Sequence, residues 1–127
     1  MRNWFFSLLA SVFCCGCTAQ NESNVLSIED YNKAIKSDST AVIIDVRQPA
    51  EYADGHLSGA SLLNVLDDET FDKGISKLDK AKTYYIYCRS GRRSQTASKK
   101  MQQQGLKVYD MKGGFNAWKA AGMPVEK

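Results

Sequence analysis

The run Ala41-Val42-Ile43-Ile44-Asp45-Val46 shows no alternation of polar and apolar positions, which predicts a strand covered on both faces. Thr83 to Tyr87 predicts a second strong strand and Lys107 to Met111 a third; Ser61 to Val65 is a weaker one, and Val25-Leu26 a short one. Between them the apolar period changes. Ser27 is placed as an N-cap before Glu29 and Asp30, with Tyr31, Ala34 and Ile35 at helical spacing. Asp67 to Leu78 carries acids first and lysine later, a helix interrupted by Gly74. Arg92 to Gln104 is closed by Gly105, and Phe115 to Ala121 is ended by Gly122 ahead of Pro124. Strands alternating with helices through short connections predict an α/β fold: a mostly parallel sheet of about five strands with helices on both faces. No repeat or low-complexity tract interrupts the stretch from residue 25 to residue 127, which reads as one domain.

The first residues follow a different pattern. Arg2 precedes an apolar run from Trp4 to Cys15, and no acidic residue occurs before Glu22. This is the pattern of an export signal, and the run is shorter than the roughly 20 apolar residues of a spanning helix. Gly16-Cys17 resembles a bacterial lipobox, although Cys14 and Cys15 stand where that motif has an aliphatic and a small residue. The resemblance implies a signal peptide over 1–16, Cys17 as the lipidated first residue, and a polar tether over 17–24. Ordinary secretion or an uncleaved anchor are the other readings. The expected location is the cell envelope, held to a bacterial membrane by lipid alone and facing the periplasm. Cleavage before Cys17 would leave 111 of the 127 residues, enough for one core, with Cys88 as the only thiol not committed to lipid. The net charge of +3 points neither to nucleic acid nor to an acidic partner surface.

Cys88 ends the second strong strand, and Arg89, Ser90, Gly91, Arg92, Arg93 and Ser94 follow it into the next helix. In open α/β sheets, ligands bind beyond the carboxyl ends of the strands. A strand-to-helix loop can aim backbone N–H groups and the positive end of the helix dipole at one point. Such a cradle, with three arginines nearby, favours the thiolate over the thiol without a histidine as base. Gly91 allows the backbone angles of a tight loop, and Ser90 and Ser94 can hydrogen-bond loop amides or a sulfur anion. A free cysteine picked at random is more often a small buried hydrophobe. The position after a strand and the cationic loop favour a reactive group here.

Cys88-Arg89-Ser90-Gly91-Arg92-Arg93-Ser94 resembles the active-site loop of the rhodanese-like sulfurtransferase family. Two further segments agree with that family in the same order. One is Asp45-Val46-Arg47 with Glu51-Tyr52 and Gly55-His56-Leu57-Ser58-Gly59-Ala60. The other is Gly113-Gly114-Phe115-Asn116-Ala117-Trp118 with Gly122-Met123-Pro124-Val125. The likeness runs from about Leu26 to Val125. It implies a single-domain sulfurtransferase that carries sulfane sulfur as a persulfide on Cys88, from thiosulfate or a persulfide donor to a thiol or cyanide, with no cofactor. Arg89 and Arg93 are then the expected contacts to an anionic donor, and Arg92 is the less committed of the three. Phosphatases and arsenate reductases with a similar loop place arginine at the sixth position after the cysteine; here that position is Ser94. A binding or redox-sensing module on the same fold, its exposed thiol open to oxidation, is the reading from another class.

His56 could be taken for a general base, but its place in a tight turn favours a structural hydrogen bond. Asp45 and Arg47 are read as a buried ion pair that pins the loops in support of the site, with Glu51 in the same network. Phe115 and Trp118 are read as core aromatics. One histidine and one available cysteine make no metal site. Lys99 and Lys100 beside the arginines form too short a patch for nucleic acid, and a monomer is expected.

Overall fold

The computed structural model describes residues 23–127, so the leader, Cys17 and the tether as far as residue 22 lie outside the described residues. The elements follow one another as β1 (Val25–Leu26), α1 (Ile28–Ser37), β2 (Ala41–Asp45), α2 (Pro49–Asp54), β3 (Ser61–Leu62), α3 (Asp68–Ser76), β4 (Thr83–Tyr87), α4 (Arg93–Gln103), β5 (Lys107–Met111) and α5 (Gly114–Ala120). The five strands form one sheet in the order β1-β5-β4-β2-β3, and every pairing is parallel. This is the parallel α/β sheet of five strands that the alternation of strands and helices predicts. Central β4 is buried along its whole length, as an unbroken run of strand formers requires.

The period-two alternation of β4 sends its side chains to two cores. Tyr84, Ile86 and Cys88 face one side, packed with Phe71 and Ile75 of α3 and Ala97 and Met101 of α4. Tyr85 and Tyr87 face the other, with Tyr31 of α1 and Phe115 and Trp118 of α5. Each fully buried large apolar side chain contributes on the order of 1.5–3 kcal/mol, so the two layers hold the sheet between them.

Helix starts follow the chemistry expected of them. The Ser27 side chain accepts from the N–H of Asp30 at 3.1 Å, and that of Asp67 accepts from the N–H of Thr70 at 3.2 Å. Gly74 lies inside α3 because a methyl group there would come within 2.6 Å of Leu63; its absence lets the helix close onto the β3 side of the core. The largest inward shifts from the sequence expectation are that α3 stops at Ser76 and that only Ser61 and Leu62 pair as β3. Helix α2 has no counterpart in that expectation. It has six residues, opens with Pro49 at its first position, and the Glu51 carboxylate accepts from the N–H of Gln48 at 3.0 Å. Asn24 joins the sheet edge, its carbonyl accepting from the N–H of Asp110 at 2.9 Å and its amide donating to the Ser98 hydroxyl at 2.7 Å. Among the described residues no helix is long and apolar enough to cross a membrane.

Candidate active site

Cys88 is the first residue beyond β4, at the carboxyl end of the central strand, and is 1% exposed. The loop turns over its sulfur and enters α4 at Arg93, so the N-terminus of that helix opens onto the loop. Of the loop amides expected to converge on the sulfur, that of Gly91 reaches it, donating to Sγ at 3.1 Å. The thiol in turn donates to Ser94 Oγ at 3.4 Å. Ser94 is fully buried, whereas Arg89, Ser90 and Arg92 are exposed. The thiol is therefore covered rather than open, which corrects the exposed cysteine assumed for a redox sensor.

Helix α5 holds the loop from behind. The N–H groups of Phe115 and Asn116 donate to the carbonyls of Cys88 and Arg89 at 2.8 and 3.0 Å. In trans peptides the next amide points the opposite way, so these two bonds turn the N–H groups of Arg89 and Ser90 away from α5. Gly114 makes the approach close enough: a methyl on it would meet Cys88 O at 2.6 Å and Arg89 O at 2.7 Å. The Gly113-Gly114 pair is thus part of the site's framework, a role that the core reading of Phe115 and Trp118 does not include.

Two guanidinium–carboxylate pairs brace the site. Arg47 is buried and binds Asp45 through Nε at 2.9 Å and Nη2 at 2.7 Å, while Nη2 also donates to the carbonyl of Gly55 at 2.6 Å. Its guanidinium lies 4.2 Å from the centre of the Phe115 ring. Burial is the largest single influence and opposes its charge, but the hydrogen bonds and charge of Asp45, with the charges of Tyr87 and Glu51, together outweigh it and raise its pKa, so it stays cationic. This is the ion pair expected for Asp45 and Arg47. Glu51 belongs to a separate pair: Arg93 donates to its two oxygens at 2.7 and 2.9 Å. That hydrogen bonding holds the Glu51 carboxyl at about 2, against an opposing contribution from burial.

Between α2, the Cys88 loop and α5 lies a cavity of about 430 Å³. Arg89, Lys119 and Asn116 line it together with Glu51, Asp54 and Phe115. Arg89 lines the cavity, and Arg93 gives one N–H from each terminal nitrogen to Glu51. His56 is held by Tyr52 and Glu126. Its ring stacks on Tyr52 at 3.8 Å, its Nδ1 is 2.9 Å from the carbonyl of Tyr52, and its backbone pairs with Glu126. Among the described residues no group of three or more His, Cys, Asp or Glu side chains is arranged to hold a metal ion.

The chain is similar to known proteins in sequence and in fold. A sulfurtransferase of Allochromatium vinosum is 31% identical over 103 residues, covering 80% of this chain and 94% of that protein. A thiosulfate sulfurtransferase of Stutzerimonas stutzeri is 35% identical over 80 residues, covering 62% and 71% of the two chains. The crystal structure of a rhodanese-related protein from Thermoplasma volcanium superposes with a TM-score of 0.70 at 27% identity, over 80% of this chain and 96% of that one. The family model for the rhodanese-like domain matches residues 27–121, a span that holds the Cys88 loop, both ion pairs and the α5 clamp, and the chain belongs to that family.

Proposed function

We propose that this protein is a sulfurtransferase in which Cys88 carries the transferred sulfur as a persulfide. The Cys88 thiolate attacks the outer sulfur of thiosulfate; a new S–S bond forms as the old one breaks, and sulfite leaves with the bonding pair. An acceptor thiolate then attacks the outer sulfur of the persulfide, carries it off as its own persulfide, and returns Cys88 as thiolate. Cyanide in the acceptor's place gives thiocyanate. A terminal persulfide is an anion in both half-reactions, and a preorganised amide pointed at it lowers the barrier of each.

The observation that carries this reading is the Gly91 N–H at 3.1 Å from a cysteine sulfur at the carboxyl end of the central parallel strand. Arg89 and Lys119, on the cavity wall, suit a dianionic donor. Incubation of the reduced chain with thiosulfate, followed by intact-mass and peptide analysis, tests it. One added sulfur on the peptide containing Cys88 is expected, and Cys88→Ala should take up none while keeping its circular dichroism spectrum. No sulfur on Cys88, the outcome for a docking module, overturns the reading. So does turnover of phosphate esters or arsenate, the outcome for the oxyanion enzymes whose loops place arginine where Ser94 stands.

The leader pattern over 1–16 and Cys17 extend the proposal to place: a lipid-anchored enzyme at the cell envelope. Fatty-acid labelling of the full chain that disappears in Cys17→Ser supports it, and labelling indifferent to that substitution removes it.

A further inference from the structure

The cavity beside the Cys88 loop is lined by charges of both signs, gathered around one aromatic ring. The Arg47 guanidinium lies 4.2 Å and the Lys119 Nζ 5.3 Å from the centre of the Phe115 ring. A Cβ on Gly55 would stand 3.5 Å from that ring, and Asp54, the residue before it and the last of α2, lines the same cavity. This side of the cavity is fixed to the nucleophile's loop. The N–H groups of Phe115 and Asn116 hold the carbonyls of Cys88 and Arg89, and Lys119 follows Asn116 by about one helical turn on the same face of α5. Two of the lining charges are committed elsewhere, Arg47 to Asp45 and Glu51 to Arg93. Arg89, Lys119 and Asp54 are exposed, and none of them forms an ion pair among the described residues, with one another or with a further group. Arg47 adds a fixed donor. It is 3% exposed, its Nε and Nη2 are engaged by Asp45 and Gly55, and its Nη1 has no hydrogen-bond partner among the described residues.

We infer that this cavity receives an amino-acid thiol as the sulfur acceptor, with Arg89, Lys119 and the Arg47 Nη1 taking its carboxylate and Asp54 its ammonium. The inference rests on the reading of Cys88 as the sulfur carrier and names the class of the acceptor. The acceptor's thiolate attacks the outer sulfur of the Cys88 persulfide. A new S–S bond forms as the bond to Cys88 breaks, Cys88 leaves with the bonding pair as thiolate, and the amino acid departs as its own persulfide. No further oxidant or reductant enters the step.

Size and sign both favour a zwitterion over a simple anion. The cavity of about 430 Å³ equals the liquid volume of about 14 water molecules at roughly 30 Å³ each, more than an inorganic anion such as thiosulfate fills. It lies within the roughly 300–1,000 Å³ of sites for organic ligands, and the Phe115 ring offers apolar surface to a carbon stem. A dianion is drawn by Arg89 and Lys119 but repelled by Asp54, and a neutral thiol gains from none of the three. Opposite charges that line one cavity without pairing leave a gap that a molecule bearing both charges bridges, with no like charge brought close. Asp54 is then the selecting group, because it favours the amino acid and disfavours every acceptor that carries a carboxylate alone.

The test loads the full-length chain with thiosulfate, removes the excess, and follows discharge of Cys88 by intact mass with four thiols, each rate expressed per thiolate. L-Cysteine carries both charges, cysteamine the ammonium alone, 3-mercaptopropionate the carboxylate alone and 2-mercaptoethanol neither. Cysteine should be the fastest of the four. Asp54→Asn should slow cysteine and cysteamine about three- to fivefold and speed 3-mercaptopropionate, whereas Lys119→Met should slow cysteine and 3-mercaptopropionate by a similar factor and spare cysteamine. Equal rates for the four thiols, 3-mercaptopropionate ahead of cysteine, or a variant that slows all four alike would overturn the inference. A second measurement needs no sulfur transfer. S-Methyl-L-cysteine, titrated into the unloaded chain by NMR, should bind more tightly than 3-(methylthio)propionate and lose that advantage in Asp54→Asn; equal affinities in the wild type overturn the zwitterion site. A wild type that thiosulfate does not load would remove the proposed function while this titration still decides the cavity's ligand, so the two ideas fail separately.

Discussion

Replacing Gly114 by alanine tests whether the α5 clamp builds the site. Gly114 has φ +62° and its position for a methyl group is filled: Cys88 O at 2.6 Å, Arg89 C at 2.7 Å and Arg89 O at 2.7 Å. All three atoms are backbone, so no rotamer change relieves the clash. The left-handed conformation costs a non-glycine residue about 1–2 kcal/mol. Pushing the chains apart weakens the bonds from Phe115 and Asn116 to the Cys88 and Arg89 carbonyls, each with a net value of about 0.5–1.5 kcal/mol. The expected loss is about 3 kcal/mol, which for a domain of roughly 100 residues lowers the melting temperature by about 12–24 °C. Gly122→Ala separates the two causes. That residue has φ +74° but nothing within 4 Å of a new methyl group, so only the conformational cost applies. Thermal unfolding by circular dichroism, with thiosulfate loading of Cys88 below the transition, measures both effects. If Gly114→Ala melts no lower than Gly122→Ala and loads sulfur at the wild-type rate, the clamp has no role in shaping the loop.

Glu51→Gln should cost about 1–2 kcal/mol at pH 7 by urea unfolding, since the pair it breaks is bidentate but partly exposed. Because the folded carboxyl is lowered to about 2, its contribution is full above the ordinary carboxylate range and declines as pH falls towards 2; the gap between the two proteins should therefore narrow between pH 5 and 3, and a constant gap refutes the assignment. Asp110 has the opposite sign. Its raised value means that stability present below the unfolded carboxyl range is lost as pH rises through about 6, so Asp110→Asn should gain on the wild type by about 2 kcal/mol between pH 4 and 7.5, and a parallel pair of stability curves would count against its burial as an anion. Arg47→Met leaves Asp45 buried without its partner and should cost about 3–5 kcal/mol, of which the added change Asp45→Asn should restore part; chemical denaturation in which the double variant loses at least as much as the sum shows that no pair was broken.

The parts of this molecule legible in its sequence are those whose cause is local. A continuous apolar run can only be a strand covered twice, and β2 and β4 are such strands. Ser27 and Asp67 announce helices because the capping bond spans three residues. Helix α2 was less legible because six residues give no helical period; its Pro49 and the Gln48–Glu51 spacing were the signal available. The contacts that organise the site are mostly between distant residues. Arg93 and Glu51 are 42 positions apart, so no local pattern announces the pair they form, and Glu51 meets the Asp45–Arg47 pair through charge rather than through a hydrogen bond.

Asp110 shows where local reasoning could have gone further. In Lys107-Val108-Tyr109-Asp110-Met111, alternation puts the acid on the same face as Val108, and Val108 belongs to the core. A strand that must bury one face does not spend an acid on it without a partner or a task, because an isolated buried carboxylate is strongly disfavoured. That single break in an apolar face, two positions from a core valine, is the sequence's pointer to a carboxyl whose charge is opposed by burial. The cysteine is conspicuous because a cationic loop follows it in the sequence; the acid of β5 looks like any strand residue until the sheet buries it, 2% exposed and in register with Ile86 of β4.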